Sequence, residues 1–261
     1  MASLEQSLAK TETDAEATLT AANKTVSSIK KFREAARKGT LRDLPRTIEA
    51  VEQAIGALKQ QFANAKESWD FDEETYLSGG SFHLELIETA KQAGVKIFER
   101  DGMIYCYPFL IRIKPQERNI LIDKIKERRL RPSFLARHLK ELQNKPVRFK
   151  SQDFLECLFK AYSKMLSQQK GEALVNGKLV KLLDIYQLLT LLPGQSREYT
   201  KEEFARDIYL LDKSGISKTN NGFALSLIPP ATAGKTLGKS LKVITEEGQE
   251  KSYYGISFTQ T

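Results

Sequence analysis

Cysteine is nearly missing from this chain: Cys106 and Cys157 are the only two in 261 residues. Two thiols cannot build a disulfide framework or a four-thiolate metal site, so both read as small buried hydrophobes. Histidine is as scarce. His83 and His138 each sit in a helical stretch without a cysteine or a second histidine at ligand spacing, so neither a metal nor another cofactor is expected. Long apolar runs are missing too. Residues 188–193 and 224–230 fall far short of the roughly 20 that a membrane helix needs. The opening Met1-Ala2-Ser3-Leu4-Glu5-Gln6 has neither a basic start nor an apolar run, so no secretory signal or lipid-attachment motif is read there. These absences point to a cytoplasmic protein with no membrane partner.

What is present is apolar material for a core, 41% of the residues, and an excess of positive charge, +8 at neutral pH. The excess is localised. Residues 1–75 are slightly acidic, which argues against a basic N-terminal arm, whereas residues 112–150 hold 13 basic against 4 acidic side chains. A phosphate backbone, if bound, is expected along this stretch, with Arg128, Arg129, Arg131, Arg137 and Lys140 as its contacts. The competing reading is a solvated charged face.

The first 70 residues are rich in Ala, Glu, Lys and Gln and contain one proline, as long helices do. Leu44, Ile48, Val51, Ile55, Leu58, Phe62, Ala65 and Trp69 alternate spacings of four and three, an unbroken heptad seam. Asp43 is its candidate N-cap, and Pro45 falls in the first turn. An earlier helix carries a thinner seam of Leu4, Leu8, Thr11, Ala15, Leu19, Ala22, Val26 and Ile29. Gly39 and Thr40 between them mark a helix stop and a short loop, hence an antiparallel hairpin. Leu44, Ile48, Val51, Ile55, Leu58 and Phe62 become the candidate interface for self-association or docking to a protein partner; packing onto the chain's own globular part is the plainer alternative.

Further along, 81–93 reads as an amphipathic helix ended by Gly94. Residues 95–98 and 103–107 flank Asp101-Gly102, a β-hairpin turn signal. Residues 119–126 suit strand or helix, and a strand running into a helix is expected there. Helices are predicted over 133–142, 151–166, 179–192 and 200–213, the last opened by the capping-box pattern Thr200-x-x-Glu203, with strands over 222–228, 241–245 and 252–259.

Three helices followed by antiparallel strands over residues 151–261 give an element order that resembles the winged-helix superfamily. That resemblance implies a recognition helix beginning at Thr200, with Lys201 and Arg206 toward a groove, and a wing over 229–240 carrying Lys235 and Lys239. Glu202 and Asp207 on the same helix oppose contact with phosphate and favour protein docking. The glycines and lysines of the wing do not make a P-loop, because Pro229 and Ala233 stand where the pattern needs its first glycine. A metal-dependent nuclease using Asp101, Glu117 and Asp123 beside Lys124 or Lys126 needs a convergence that their spacing does not enforce.

The fold expected is therefore α+β: an N-terminal antiparallel helical hairpin or coiled coil over 1–75, a central mixed α/β basic region over 76–150 and a winged-helix-like module over 151–261. The function expected is that of a non-enzymatic accessory protein that binds nucleic acid, with double-stranded DNA as the partner and the hairpin as an association element. The alternative is a scaffold or adaptor subunit of a multiprotein genome-maintenance or defence complex.

Overall fold

The computed structural model describes residues 3–100, 102–145, 149–167, 177–230 and 240–260. The class is α+β, and no helix among the described residues is long and apolar enough to cross a membrane. Two compact units interleave along the chain. One comprises Met1–Gln92, Ile113–Ile120 and Glu127–Arg137, the other Ala93–Arg112, Leu121–Lys126 and His138–Thr261. The basic stretch 112–150 is thus shared out between them.

The first unit is dominated by α1 (Leu4–Lys38) and α2 (Leu44–Ser68), roughly 52 and 37 Å long at 1.5 Å per residue. Each boundary has a local chemical cause. The Ser3 hydroxyl accepts a hydrogen bond from the Gln6 backbone N–H and the Ser3 backbone N–H donates one to the Gln6 side-chain oxygen, a capping box that opens α1. Gly39 ends it with φ +69°, the left-handed conformation in which a side chain would be strained. Asp43 does precede α2, with Pro45 in the first turn, but its side chain makes no capping hydrogen bond.

Two carboxylates fasten the open end of this hairpin by bonding to helix N-termini. Short α3 (Glu73–Ser78) and α4 (Ser81–Gln92) follow α2, and Glu85 on α4 accepts from the backbone N–H groups of Leu4 and Glu5, both at 3.0 Å, and from the Tyr76 hydroxyl. Glu5 in turn accepts from the backbone N–H of Ser133 at 2.9 Å, from its hydroxyl, and from Arg131 at 2.7 Å. Ser133 lies in the first turn of α5 (Pro132–Gln143). Both carboxylates therefore satisfy N–H groups that their own helices cannot, at the positive ends of those helices.

A five-stranded sheet, in order β1 (Phe98–Arg100), β2 (Met103–Cys106), β3 (Phe109–Lys114), β4 (Asn119–Ile122), β5 (Ile125–Glu127), supplies residues to both units. The strand-into-helix expectation for 119–126 gives way here to two strands. Asp123 takes φ +52° in the turn between them, a conformation Asp tolerates better than most residues. Of the thiols, Cys106 is buried as expected, but Cys157 is exposed.

The second unit packs α6 (Ser151–Ser167), α7 (Leu182–Leu189) and α9 (Lys201–Ser214), with a single turn α8 (Gln195–Glu198), against a sheet ordered β6-β10-β7 and a β8-β9 hairpin. These strands are β6 (Val180–Lys181), β7 (Phe223–Ile228), β8 (Leu241–Ile244), β9 (Glu250–Tyr253) and β10 (Gly255–Gln260). Leu158, Tyr162, Leu182, Ile185, Phe204, Ile208, Ile256 and Phe258 form one continuous core. The capping box of Thr200 and Glu203 that opens α9 is formed in both directions.

Glu85→Ala leaves two helix-terminal N–H groups without a partner, and Glu5→Ala frees the start of α5. Each is expected to lower stability by about 1–3 kcal/mol, read as a shift of the urea midpoint, whereas replacing exposed Glu16 by Ala moves it by less than about 0.5 kcal/mol. Equal effects at all three positions would contradict the fastening role.

Candidate functional site

The hairpin meets its own partner helix through small side chains. In α1 the inward positions, three and four apart, are Thr11, Asp14, Thr18, Ala21, Thr25, Ser28, Phe32 and Ala35; in α2 they are Leu44, Thr47, Val51, Ala54, Leu58, Gln61, Ala65 and Ser68. Thr25 is buried, and its hydroxyl donates to the carbonyls of Ala21 at 3.0 Å and of Ala54, across the seam, at 3.1 Å. Ser68 donates to Asp14 at 2.5 Å. Backbones come close where Ala, Ser and Thr face each other, and few large side chains fit between them.

Six of the large ones lie outside. Leu19, Val26 and Ile29 are 56%, 49% and 44% exposed, and Ile48, Ile55 and Phe62 are 44%, 37% and 61% exposed. Thr18 and Thr25 on α1, and Thr47, Ala54 and Gln61 on α2, point inward; the residue after each is apolar and is turned about 100° further round. In antiparallel helices the same rotation on each leads to the same side of the pair, so the two rows form one stripe. The bonds at Thr25–Ala54 and Asp14–Ser68 set its tiers: Leu19 stands level with about Phe62 and Val26 with Ile55. The opposite side has no large apolar side chain in its groove, which is lined by Lys24, Ser27, Lys31, Gln53 and Gln61 together with alanines such as Ala17, Ala50 and Ala57.

This divides the expected interface seam. Ile48, Ile55 and Phe62 are outward and available, whereas Leu44, Val51 and Leu58 turn toward α1 and are half-buried. The thin seam assigned to α1 is likewise corrected: from Ala15 onward its apolar members flank the contact instead of making it.

Three of the seven described basic candidates are engaged with carboxylates. Arg131 bridges Glu5 and Glu12 at 2.7 and 2.6 Å. Arg129 bonds both Glu127 oxygens, at 2.9 and 2.6 Å, and lies 4.3 Å over the Phe134 ring. Arg206 is the clearest correction. Its side chain is only 16% exposed and bridges Asp123 at 2.6 Å and Asp207 at 3.0 Å. Asp207 also accepts from Tyr199 at 2.7 Å, and Asp123 from the Leu110 amide at 3.0 Å. Burial disfavours the charge on Arg206, but Asp207 and Asp123 more than offset this and hold its pKa above the ordinary guanidinium value. No groove-facing role is left for it. The helix that carries it, α9, is buried at Glu203, Phe204, Ala205, Ile208, Tyr209, Leu210 and Leu211, which is the reverse of an exposed recognition helix.

Of the remaining candidates, Arg137 and Lys201 are exposed, and Lys140 is exposed while donating to the Ala93 carbonyl at 2.8 Å. Arg128 is exposed at the edge of a cavity of about 250 Å³ lined by Leu8, Trp69, Phe71 and Tyr76. Lys235 and Lys239 lie outside the described residues, as does Asp101 of the nuclease constellation. Glu117 accepts from Asn119, and Asp123 is bound to Arg206 as above. Sequence reasoning missed Glu5 and Glu85; the Ser3-x-x-Gln6 box beside Glu5 was a readable signal for the helix start but not for its distant partner. No family model, curated protein or solved structure matches this chain.

Arg206→Ala strands the buried Asp207 and is expected to destabilise by about 3–5 kcal/mol, against less than about 0.5 for Lys201→Ala, both from denaturant midpoints. A second prediction concerns pH. The Arg129 hydrogen bonds pull the Glu127 carboxyl from the ordinary 4.5 down to about 2. The stability this adds is fully present above pH 4.5 and disappears as the pH falls through about 2. Because Arg129 is largely solvated, Glu127→Gln should cost about 1 kcal/mol at pH 7 and progressively less below pH 4. A constant penalty across that range would contradict the pairing.

Proposed function

We propose that this chain is a scaffold or adaptor protein that works in the cytoplasm by association through its N-terminal hairpin. The observation that carries the reading is the one-sided stripe of Leu19, Val26, Ile29, Ile48, Ile55 and Phe62, exposed along a hairpin whose opposite side has no large apolar side chain in its groove. Six large apolar side chains on one face of a water-soluble surface mark a contact area, because scattered exposure would not align in tiers. Helix-in-groove or helix-bundle contact suits an amphipathic face of this kind.

The sequence on its own favours nucleic-acid binding, but Arg129, Arg131 and Arg206 are bound to carboxylates of the chain, and α9 presents little free surface. Arg128, Arg137, Lys140 and Lys201 stay exposed, and a duplex-binding role would rest on them.

Replacing Ile48, Ile55 and Phe62 together by Asp is expected to leave the fold intact, judged by far-UV circular dichroism, and to abolish the assembly in which the full chain sediments or co-purifies. Fluorescence anisotropy with a DNA duplex should give the same weak, salt-sensitive signal for both proteins. An assembly that survives the triple substitution would overturn the association reading, and tight duplex binding lost on replacing Arg128 and Arg137 would replace it with the nucleic-acid one.

A further inference from the structure

We infer that the occupant of the stripe is a second copy of this chain, two hairpins packing face to face and antiparallel about a two-fold axis at Ile55 to make a four-helix bundle. This rests on the association reading and names its partner.

The spacing of the stripe is the first argument. Ile48, Ile55 and Phe62 are evenly separated by seven residues, so reversing α2 about Ile55 lays Ile55 on Ile55 of the second copy and Ile48 on Phe62. The smaller side chain meets the larger in both tiers, which keeps the layers alike in volume. Thr25 lies level with Ala54, so the same axis passes near Lys24 on α1 and brings Leu19 toward Ile29 of the second copy. Such a contact is isologous and closes on itself.

Charge is the second argument, and it excludes laying like helices in the same direction. On α2 the residues beside the stripe are Glu49 and Glu52 before Ile55, and Lys59 and Lys66 after it; on α1 they are Glu16 before Val26, and Lys30 and Arg33 after it. Along the stripe each helix is therefore acidic at one end and basic at the other. Reversal sets Glu52 opposite Lys59 of the second copy and the acidic end of α1 opposite its basic end. Laying like helices in the same direction would set Glu52 on Glu52 and Lys59 on Lys59, which is repulsive. The far side, with Lys24, Lys31, Gln53 and Gln61 set among alanines, carries no row of large apolar side chains among the described residues, so association stops at two copies. Bundle cores of this geometry bury exactly the kind of face that a lone hairpin leaves open, since each helix then has two neighbours.

Sedimentation equilibrium of the full chain tests this. The wild type is expected to be a dimer with Kd on the order of 10 µM or tighter. Ile55→Lys, which sets two ammonium groups together on the axis, is expected to weaken it at least about tenfold with unchanged circular dichroism. Glu52→Lys and Lys59→Glu are each expected to weaken their own homodimers severalfold, and mixing the two variants is expected to restore wild-type affinity, because every facing pair is then of opposite sign. A wild type still monomeric at about 100 µM, or a mixture no tighter than its components, overturns the antiparallel dimer. If the wild type is monomeric while co-purification of another protein depends on Ile55, the association reading stands and the second copy is excluded; if neither depends on Ile55, both fail.

Discussion

A helix in a two-helix hairpin has one face to give its partner, and in this protein the α1 side of that contact is mostly alanine, serine and threonine, while on α2 such residues alternate with Leu44, Val51 and Leu58. The hydroxyl of Thr25, bonded to the Ala54 carbonyl across the seam, marks how closely the backbones approach. Close approach is favourable for small residues, but it removes little apolar surface from water, roughly 25 cal/mol for each Å² covered. The large residues one position further round are consequently left to some other contact. The outward stripe is therefore a consequence of how the hairpin closes.

The remainder of the first unit reinforces that arrangement from the open end. Glu85 holds the start of α1 and Glu5 holds the start of α5, so the hairpin is fixed by charged oxygens at helix N-termini. Arg131 joins Glu5 and Glu12 into the same network. Such bonds are directional and are satisfied in only one arrangement, which aims a pair of long helices without using their apolar faces. In the second unit a comparable polar cluster, Arg206 with Asp123 and Asp207, sits inside the structure and joins the turn after β4 to α9.

Much of the local structure is legible in the sequence, because helix boundaries are set by residues near one another. Gly39, the Thr200–Glu203 box and Gly102 all mark element boundaries, and Gly102 adopts φ +74°. The destinations of charges and faces are not legible in the same way. Arg131 and Glu5 are 126 positions apart, and Arg206 and Asp123 are 83 apart, so a count of positive charge along residues 112–150 could not register that these guanidiniums are already paired. The heptad of α2 reveals a long apolar row but not which half of it faces α1. A rotation of one residue decides that, and it is decided by the small seam on α1, where Thr18, Ala21, Thr25 and Ser28 carry no strong hydrophobic signal. The strands over 119–126 were hidden by Ile120, Leu121, Ile122 and Ile125, which suit either element equally.

The account turns on whether a second copy lies reversed over the stripe, and intermolecular distances read this directly. Residues 49, 56 and 63 share one azimuth on α2, seven positions apart. Each can carry a nitroxide on an introduced cysteine once exposed Cys157 is replaced by serine, Cys106 being buried. About an axis at Ile55, the separation along the helix between a label and its copy is about 18, 3 and 24 Å at these three positions. Pulsed dipolar spectroscopy should therefore give the shortest distance at residue 56 and longer ones on both sides of it. Three equal distances, or no intermolecular coupling at any of the three, would contradict the antiparallel pair.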